Sequence, residues 1–423
     1  MAKYIVRKSD PLRGQVEISG SKNAVLPIMS AALLTEEKCT ILDAPALKDV
    51  EIMCRLLEDL GSEVSQDIEN NIVEIETKEI STHIASHELV KKMRASILVM
   101  GPLLARTGKA RIALPGGCAI GDRPVELHFK GLRALGADIN VDGAGVVRAS
   151  ADSLKGANIY LDFPSVGATE NIIMAASMAD GTTIIENAAQ EPEIVDLATF
   201  LNKMGAKIKG AGTDTIKIEG VSVLRGAKHN VIPDRIEAGT FMVAAAITRG
   251  ALLIKNVLPD HVKPVIAKLK ECGVEVEVVD EDVIVRGDVN PLISTDIKTL
   301  PYPGFPTDMQ SQFMAMLTTA EGSSIVIETV FENRYMHVRE LNRMGAHIKT
   351  EDRCAIIEGK AKLKGSQVVA TDLRAGAAVV LAGLVAEGET EISEIYHIER
   401  GYEDFADKIR SLGGKIEKVE DQL

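Results

Sequence analysis

The chain repeats one sequence pattern six times at nearly constant spacing. In each copy a charged, amphipathic stretch ends at a glycine, and a run of alternating apolar and polar residues follows, as in KLKECGVEV around Gly273. Glycine adopts the positive φ that commonly ends a helix, and strict alternation is typical of a half-buried strand. The six glycines are Gly61, Gly136, Gly205, Gly273, Gly345 and Gly413, at intervals of 75, 69, 68, 72 and 68 residues. The repeat therefore predicts six copies of a helix, a tight turn and a strand.

A second segment lies about forty residues before each of these glycines. It opens on polar or charged residues and then becomes apolar on nearly every face, as in DRIEAGTFMVAAAI at 234–247. A helix that is apolar all round is a buried helix. Most of these segments are followed by a turn residue and a strand-like run. The complete unit is predicted to be β-α-β-α-β-β, with one buried and one amphipathic helix.

The length of 423 residues exceeds one ordinary core, so we expect two domains of three repeats each. Within a domain, three sheets are expected to surround the three buried helices, in preference to an open solenoid. Residues 1–21 hold two strand-like runs but no buried helix, so they are predicted to complete the second domain. The predicted domains are residues 22–229, and residues 1–21 with 230–423, with chain crossings near residues 21 and 230.

Composition excludes several classes of function. The net charge is −13 and aromatic residues make up 3%, with no tryptophan, which argues against a nucleic-acid partner. Five dispersed cysteines without a Cys-x-x-Cys pair favour a reducing cytoplasm over a disulfide framework. The eight histidines lack ligand spacing, so no metal site is expected. No apolar run reaches the roughly 20 residues of a membrane span, and the oligomeric state stays open.

The polar openings of the buried helices are chemically unusual. Helix N-termini attract anions, and the helix dipole disfavours cations there. Solvated caps are the alternative interpretation, which suits Ser165 and Asp234 but suits Lys22, Arg94 and Arg374 poorly. If the buried helices of a domain are parallel, their N-termini share one face. Two such faces opposed would form a cationic cleft for a substrate with several negative charges.

A glycine-rich loop at 114–122 holds Cys118, and Arg123 follows it. A nearby guanidinium favours the reactive thiolate, although an incidental cysteine in a surface loop would look the same. The charged segments 331–334 and 397–401 follow strand-like runs and are equally compatible with ordinary connections. The other four cysteines lie in apolar contexts and are predicted to be core residues.

Seven motifs spread over the chain carry a resemblance to a known family. They are GSKNA (20–24), MRAS (93–96), LPGGCAIGDRPVELH (114–128), FPTDMQ (305–310), ENRYMH (332–337), TDLRAG (371–376) and HIERGY (397–402). Together they resemble the UDP-N-acetylglucosamine 1-carboxyvinyltransferase family. The resemblance implies the enolpyruvyl transferase fold, an α/β fold of two inside-out, barrel-like domains of three repeats each, with the active site in the cleft between them.

The resemblance also implies a reaction. The enolpyruvyl group of phosphoenolpyruvate moves to the 3′-hydroxyl of UDP-N-acetylglucosamine by addition and elimination, and phosphate is released. This is the first committed step of peptidoglycan synthesis, on which cell wall biogenesis, cell shape and division depend. Both substrates are small molecules, and no cofactor is implied.

Site residues follow from the same match. Cys118 is the implied general acid, which can also form a covalent adduct with phosphoenolpyruvate, and Asp308 the implied base for the sugar hydroxyl. Lys22 and Arg400 complete the catalytic set, and Asp372 is a candidate for assisting proton transfer. The implied phosphoenolpyruvate ligands are Lys22, Asn23, Arg123, Arg334, Arg374 and Arg400. The implied sugar-nucleotide ligands are Asn23, Arg94, Arg123, Pro124, Val125, Glu126, Leu127, Ser165, Val166, Gly167, Asp308 and Val330.

Two alternatives remain open from the sequence. The enolpyruvyl transferase of the shikimate pathway shares the fold and phosphoenolpyruvate, but the Pro-Gly-Gly-Cys loop argues against it. Thermal protection by UDP-N-acetylglucosamine or by shikimate 3-phosphate separates the two. A catalytically silent relative would bind a sugar nucleotide without turnover, and the presence of Cys118, Asp308 and Lys22 argues against that interpretation.

Cys118 generates a direct chemical prediction. Fosfomycin alkylates the loop thiol of this family, and members with aspartate in its place resist the compound. We therefore expect fosfomycin to inactivate the protein, as measured by activity remaining after incubation. Full activity after long incubation with excess fosfomycin would contradict a reactive Cys118.

Overall fold

The computed structural model describes residues 2–114 and 125–420. Three predicted site residues, Cys118, Arg123 and Pro124, lie outside these ranges. The described chain divides into two compact units. The first, called here the continuous unit, comprises residues 20–114 and 125–232. The second, the two-segment unit, comprises residues 2–19 and 233–420.

Helices and strands alternate through both units. The strands are β1 (Ala2–Arg7), β2 (Arg13–Glu17), β3 (Cys39–Leu42), β4 (Glu63–Asp67), β5 (Ile72–Glu76), β6 (Lys109–Ala113), β7 (Asp138–Val141), β8 (Val146–Ser150), β9 (Asn158–Tyr160), β10 (Thr182–Glu186), β11 (Lys207–Lys209), β12 (Thr215–Glu219), β13 (Lys228–Asn230), β14 (Ala251–Lys255), β15 (Glu275–Val279), β16 (Asp282–Arg286), β17 (Ile297–Lys298), β18 (Ser323–Ile327), β19 (His347–Glu351), β20 (Cys354–Glu358), β21 (Gln367–Val369), β22 (Glu389–Ser393) and β23 (Lys415–Glu420). The α-helices are α1 (Lys22–Ala31), α2 (Lys48–Leu60), α3 (His87–Lys92), α4 (Met100–Thr107), α5 (Glu126–Ala134), α6 (Val166–Ala176), α7 (Pro192–Lys203), α8 (Arg235–Ile247), α9 (Lys263–Glu271), α10 (Gln310–Leu317), α11 (Met336–Arg343), α12 (Leu373–Gly383), α13 (Tyr396–Glu399) and α14 (Phe405–Ser411). Short 3₁₀ helices span Ala32–Leu34, Arg94–Val99, Pro259–Val262 and Thr307–Met309.

The continuous unit holds three sheets and its own hydrophobic core. Their strand orders are β13-β3-β5-β4, β6-β8-β7 and β11-β12-β10-β9. Antiparallel pairs form most of each sheet, and a parallel strand is added at one edge, β13 beside β3 and β9 beside β10. The three-stranded sheet has only the parallel bridge between Ile84 and Arg111 at that place. Helices α1, α4 and α6 are buried, and α2, α5 and α7 present one apolar face to the core.

The two-segment unit repeats this plan with strands from both ends of the chain. Its sheets have the orders β15-β16-β14-β2, β17-β18-β20-β19 and β21-β22-β1-β23. Strand β2 supplies the parallel edge beside β14, and β1 lies antiparallel between β22 and β23. The buried helices α8, α10 and α12 pack against one another inside the unit's own core. The first residues of the chain therefore complete two sheets whose other strands begin more than 230 residues later.

The repeated glycines adopt the predicted backbone conformation. All six have positive φ, from 83° at Gly273 to 110° at Gly61, and each follows within two residues of an amphipathic helix. A strand starts within a few residues of each one. The predicted helix, turn and strand are thus confirmed in all six copies.

Two sequence-based expectations differ from the structure. The buried segment at 94–107 is not one α-helix but the 3₁₀ helix Arg94–Val99 followed by α4. Pro102 has no N–H to donate to the carbonyl four residues earlier, which removes a helical bond at this junction. The prediction that Cys354 is a core residue is also wrong. Cys354 is half-buried because it pairs across β20 and β18 with the exposed Ile327, and directly opposed residues share a sheet face.

None of the helices in the described part of the chain combines the length and the apolar character needed to cross a membrane.

The turn glycines allow a clean test of backbone strain. Gly205 has φ of 106°, yet a Cβ added there would meet no atom within 4 Å. Gly205→Ala should therefore cost only the left-handed conformation, about 1 kcal/mol of unfolding free energy in chemical denaturation. Gly143 in the same unit has equal space and no positive φ, so Gly143→Ala is the control and should not destabilise. Equal stability of the two variants would contradict the assigned strain.

Candidate active site

Asp308, whose side chain is 26% exposed, forms the centre of a charge cluster in the two-segment unit. It lies in the 3₁₀ turn before α10. Arg334 donates from Nη2 to Asp308 Oδ1 at 2.7 Å, and Arg374 donates to Oδ2 from Nη2 at 3.1 Å and from Nε at 3.3 Å. Both arginines are almost wholly buried, with 4% and 2% of their surface exposed. Three predicted site residues therefore meet through charge-assisted hydrogen bonds in a water-poor environment.

Asp372 sets the position of Arg374 by capping α12. Its Oδ1 accepts the backbone N–H groups of Arg374 at 2.9 Å and Ala375 at 3.0 Å, as an N-cap aspartate does. The observed role of Asp372 is thus structural, and its role in proton transfer stays a prediction.

Arg374 carries its charge at the start of a buried helix, where the dipole opposes a cation. Burial lowers the pKa of Arg374, but Tyr402, Asp308 and Asp234 raise it more, so the guanidinium is held above its usual value. Asp234 caps α8, Asp308 precedes α10, and Arg374 opens α12. The N-termini of the three buried helices therefore lie together, as predicted for parallel helices.

The pKa values of His337 and His397 are shifted by burial and by the charged side chains around them. Burial lowers the pKa of His337 to about 4, opposed by Asp372 and assisted by Arg334. Burial and then Arg400 lower the pKa of His397, and Asp372 again opposes. Arg400 follows α13. Arg400 and Asp372, the cap of α12, thus act in opposite directions on the pKa of His397.

Glu328 is a buried carboxylate beside the candidate site that the sequence did not single out. Its side chain is fully buried, and it accepts hydrogen bonds from Thr299 Oγ1 at 2.8 Å and from Thr307 Oγ1 at 2.9 Å. Its Oε1 also accepts the N–H groups of Val330 at 2.8 Å and Phe331 at 3.2 Å. This carboxylate ties the turn before Asp308 to the predicted ligand Val330. A lone glutamate after an apolar strand was the only sequence signal.

Lys22 has a protein partner in the continuous unit. Its Nζ lies 2.8 Å from Asp49 Oδ2, and Asp49 is buried in the first turn of α2. This ion pair offsets the unfavourable placement of lysine at the start of α1. A cation at a buried helix N-terminus therefore has a structural reason as well as the predicted functional one. Asn23, the next predicted ligand, is half-buried.

His128 lies beside two predicted sugar-nucleotide ligands of the continuous unit, Arg94 and Gly167. Asn171 donates from Nδ2 to His128 Nδ1 at 3.1 Å, which leaves the proton of the neutral imidazole on Nε2. Burial and then the charge of Arg94 lower the pKa of His128 to about 3. A Cβ placed on Gly167 would lie 3.2 Å from His128 Cε1, so the ring fits closely against the start of α6.

The other predicted ligands of this unit flank that histidine. Ser165 caps α6, accepting the N–H of Ala168 at 3.4 Å. Val125 is buried and Leu127 half-buried, whereas Glu126 is exposed at the start of α5, and Val166 is half-buried in the first turn of α6. His128 lies inside a motif noted in the sequence, yet its burial and its contact with Asn171 depend on tertiary packing.

Residues 2–114 and 125–420 contain eight histidines and four of the five cysteines. No group of three or more histidine, cysteine, aspartate or glutamate side chains there is placed to hold a metal ion. Burial raises the pKa of Cys39 and Cys54 to about 11 and that of Cys272 to about 12. These three side chains remain neutral thiols at physiological pH.

The architecture defines the class of protein. The chain aligns with the enolpyruvyl transferase NikO from Streptomyces tendae at a TM-score of 0.90, with 24% identity over 99% of each chain. It also aligns with EPSP synthase from Acinetobacter baumannii at a TM-score of 0.76, with 20% identity over 99% of this chain and 100% of that one. The chain therefore has the enolpyruvyl transferase fold, as predicted.

Sequence comparison narrows this class. The family profile described as EPSP synthase (3-phosphoshikimate 1-carboxyvinyltransferase) matches residues 6–409. UDP-N-acetylglucosamine 1-carboxyvinyltransferase 1 of Caldanaerobacter subterraneus subsp. tengcongensis is 61% identical over 98% of this chain and 99% of its own length. UDP-N-acetylglucosamine 1-carboxyvinyltransferase 2 of Carboxydothermus hydrogenoformans is 59% identical over the full length of both. The chain belongs to the UDP-N-acetylglucosamine 1-carboxyvinyltransferase family, within the broader EPSP synthase family.

The buried state of His128 predicts a pH dependence of stability. Its folded pKa of about 3 lies below the ordinary value of 6.5, so below about pH 6.5 the unfolded chain binds a proton that the folded chain does not. Stability from this group is complete above pH 6.5 and is lost as the pH falls toward 3. Relative to His128→Gln, the native protein should lose up to about 1.4 kcal/mol more per pH unit in that window.

Chemical denaturation at several pH values between 7 and 4 measures this difference. The exposed His87 lies in the same unit, and His87→Gln should follow the native curve. Parallel curves for the native protein and His128→Gln would show that His128 is not kept neutral by its surroundings.

Proposed function

We propose that the chain transfers the enolpyruvyl group of phosphoenolpyruvate to the 3′-hydroxyl of UDP-N-acetylglucosamine and releases phosphate. The main support is its full-length identity of 59 to 61% to proteins named for that transfer. The reaction would be the first committed step of peptidoglycan synthesis, carried out in the cytoplasm on two small-molecule substrates.

The buried arginines suit the anionic substrate. Phosphoenolpyruvate carries a carboxylate and a phosphate, and guanidinium groups bind both in a bidentate manner. Arg374 Nη1 is buried and has no hydrogen-bond partner within the described residues. An unsatisfied buried donor is costly, and a substrate oxygen would satisfy it. We assign phosphoenolpyruvate to Arg334, Arg374 and Arg400, together with Lys22, Asn23 and Arg123.

Asp308 is the proposed base for the sugar hydroxyl. Two guanidinium groups donate hydrogen bonds to its carboxylate, and lone pairs engaged in this way are not available to accept a proton. When substrate anions bind Arg334 and Arg374, they compete with Asp308 for the same donors. Asp308 would then gain basicity only after phosphoenolpyruvate is bound, which couples deprotonation of the hydroxyl to the presence of its target.

Protonation of phosphoenolpyruvate is assigned to Cys118. A general acid works best with a pKa near the working pH, which a thiol beside cations can reach. Asp372, which caps the helix that begins with Leu373 and Arg374, is assigned a supporting role in proton transfer. The sugar nucleotide is assigned to Arg94 and to the segments 123–127 and 165–167, with Asn23, Asp308 and Val330.

Phosphate release from phosphoenolpyruvate tests the function and the role of Asp308. Release should require UDP-N-acetylglucosamine, which a silent sugar-nucleotide-binding relative would not show. In Asp308→Asn, kcat should fall about a hundredfold or more, because a general base is lost. Affinity for phosphoenolpyruvate, measured by calorimetry, should be kept or increased, because a competing carboxylate is removed from the arginines.

The matched control is Asp296→Asn in the same unit. Asp296 is exposed, and its carboxylate accepts the N–H of Ile325 at 2.7 Å, so its replacement should leave both kcat and affinity unchanged. Loss of phosphate release in Cys118→Ala would place the thiol in the chemistry. Full kcat in Asp308→Asn would refute Asp308 as the base, and release without the sugar nucleotide would refute the proposed acceptor.

A further inference from the structure

A buried polar network contacts Asp308 and Arg374 in the two-segment unit. It consists of Thr240 on α8, Gln312 on α10 and Tyr402, which follows α13. Thr240 and Gln312 have no exposed surface, and Tyr402 is 2% exposed. None of the three is therefore placed to touch a substrate.

The three side chains satisfy one another's hydrogen bonds. Thr240 Oγ1 lies 2.9 Å from the Tyr402 hydroxyl and 2.8 Å from the carbonyl oxygen of Ile236. Gln312 Nε2 lies 3.2 Å from both Thr240 Oγ1 and the Tyr402 hydroxyl. If the Thr240 hydroxyl donates to Ile236, the Tyr402 hydroxyl donates to Thr240. A lone pair on the Tyr402 oxygen then remains as an acceptor.

The network touches the active cluster at two points. Gln312 Nε2 donates to the backbone oxygen of Asp308 at 2.9 Å, which fixes the turn that carries the proposed base. The guanidinium of Arg374 lies over the ring of Tyr402, with Cζ 5.3 Å from the ring centroid. Aromatic faces attract cations, and a partly satisfied buried network is costly, so each member constrains the others.

We propose that Tyr402, held by Thr240 and Gln312, is a positioning residue that sets the guanidinium of Arg374 for phosphoenolpyruvate. This inference rests on the proposed function, in which Arg374 binds phosphoenolpyruvate. The hydroxyl of Tyr402 anchors the ring to α8 and α10, and the ring supports the guanidinium that binds Asp308. Arg374 can then replace the carboxylate of Asp308 by a substrate anion as its hydrogen-bond acceptor, while the guanidinium stays in place.

The sugar-nucleotide residues provide an internal comparison. Ser165, Val166, Gly167 and Arg94 belong to the continuous unit. The sugar-nucleotide ligand Asp308 is held by Gln312 of the network, whereas the ring of Tyr402 lies against Arg374, which is assigned to phosphoenolpyruvate alone. Disturbing Tyr402 should therefore change the use of one substrate and spare the other. A general loss of folding would affect both.

The chain offers a matched pair of threonines for the test. Thr240 lies in α8, and Thr248 is the residue directly after it. Both are buried, and each hydroxyl donates to the carbonyl four residues earlier, at 2.8 Å and 2.7 Å. Only Thr240 also contacts Tyr402. Thr240→Val removes a hydroxyl within α8, and Thr248→Val removes one directly after it, where Thr248 also accepts the N–H of Leu12 at 3.4 Å. The pair therefore separates positioning from stability.

Steady-state phosphate release should be measured with each substrate varied in turn. Tyr402→Phe and Thr240→Val should each raise KM for phosphoenolpyruvate about five- to tenfold, the range expected for one lost hydrogen bond in a charged network. KM for UDP-N-acetylglucosamine should stay within about twofold. Thr248→Val and the conservative Thr240→Ser should keep both KM values, and thermal melting of every variant reports its stability.

Each result decides the proposal. An equal rise of KM in Thr248→Val and Thr240→Val would overturn it, as would equal changes for the two substrates or no change in Tyr402→Phe. If Tyr402→Phe does not fold, the comparison of Thr240→Val, Thr240→Ser and Thr248→Val decides it alone. Absence of phosphate release from the native protein would instead refute the proposed function.

Discussion

Charge buried at the starts of apolar helices is the constraint on which the candidate site depends. A buried helix offers positive N-terminal N–H groups, and a cation placed there requires a counter-charge. In the two-segment unit Asp308 supplies it to Arg374 at the start of α12 and also pairs with the buried Arg334. In the continuous unit Asp49 supplies it to Lys22. Each buried cation is thus stabilised by a carboxylate of the protein itself, and a substrate anion would bind in competition with that carboxylate.

The repeats explain why so much charge can gather at one end of each unit. Each repeat contributes one buried helix and one sheet, and the sheets complete one another through a parallel strand from elsewhere in the unit. Helices enclosed in this way run in one direction in the two-segment unit, so their capping residues converge. Asp234 and Asp372 cap α8 and α12, and Asp308 lies in the 3₁₀ turn directly before α10.

Features set by local sequence could be predicted, and features set by tertiary contacts could not. The positive φ of the six glycines follows from helix ends, and the burial of the six apolar segments follows from their composition. The 3₁₀ opening at Arg94–Val99 was missed because it depends on Pro102 in its packed surroundings. The pairing of Lys22 with Asp49, the buried Glu328 and the neutral His128 were missed because each partner lies on another element. The residue types of the site were therefore predictable, whereas their partners were not.

The placement of strands β1 and β2 has a consequence for how the protein forms during synthesis. The continuous unit draws all its strands from one stretch of chain and can fold once residue 232 has emerged. Strand β1 must wait for β22 and β23, because its neighbours on both sides are the last strands made. Strand β1 is thus translated well before the strands with which it pairs. Non-local pairing of this kind is slow, so we expect the pairing of β1 with β22 and β23 to be a late and slow step in folding.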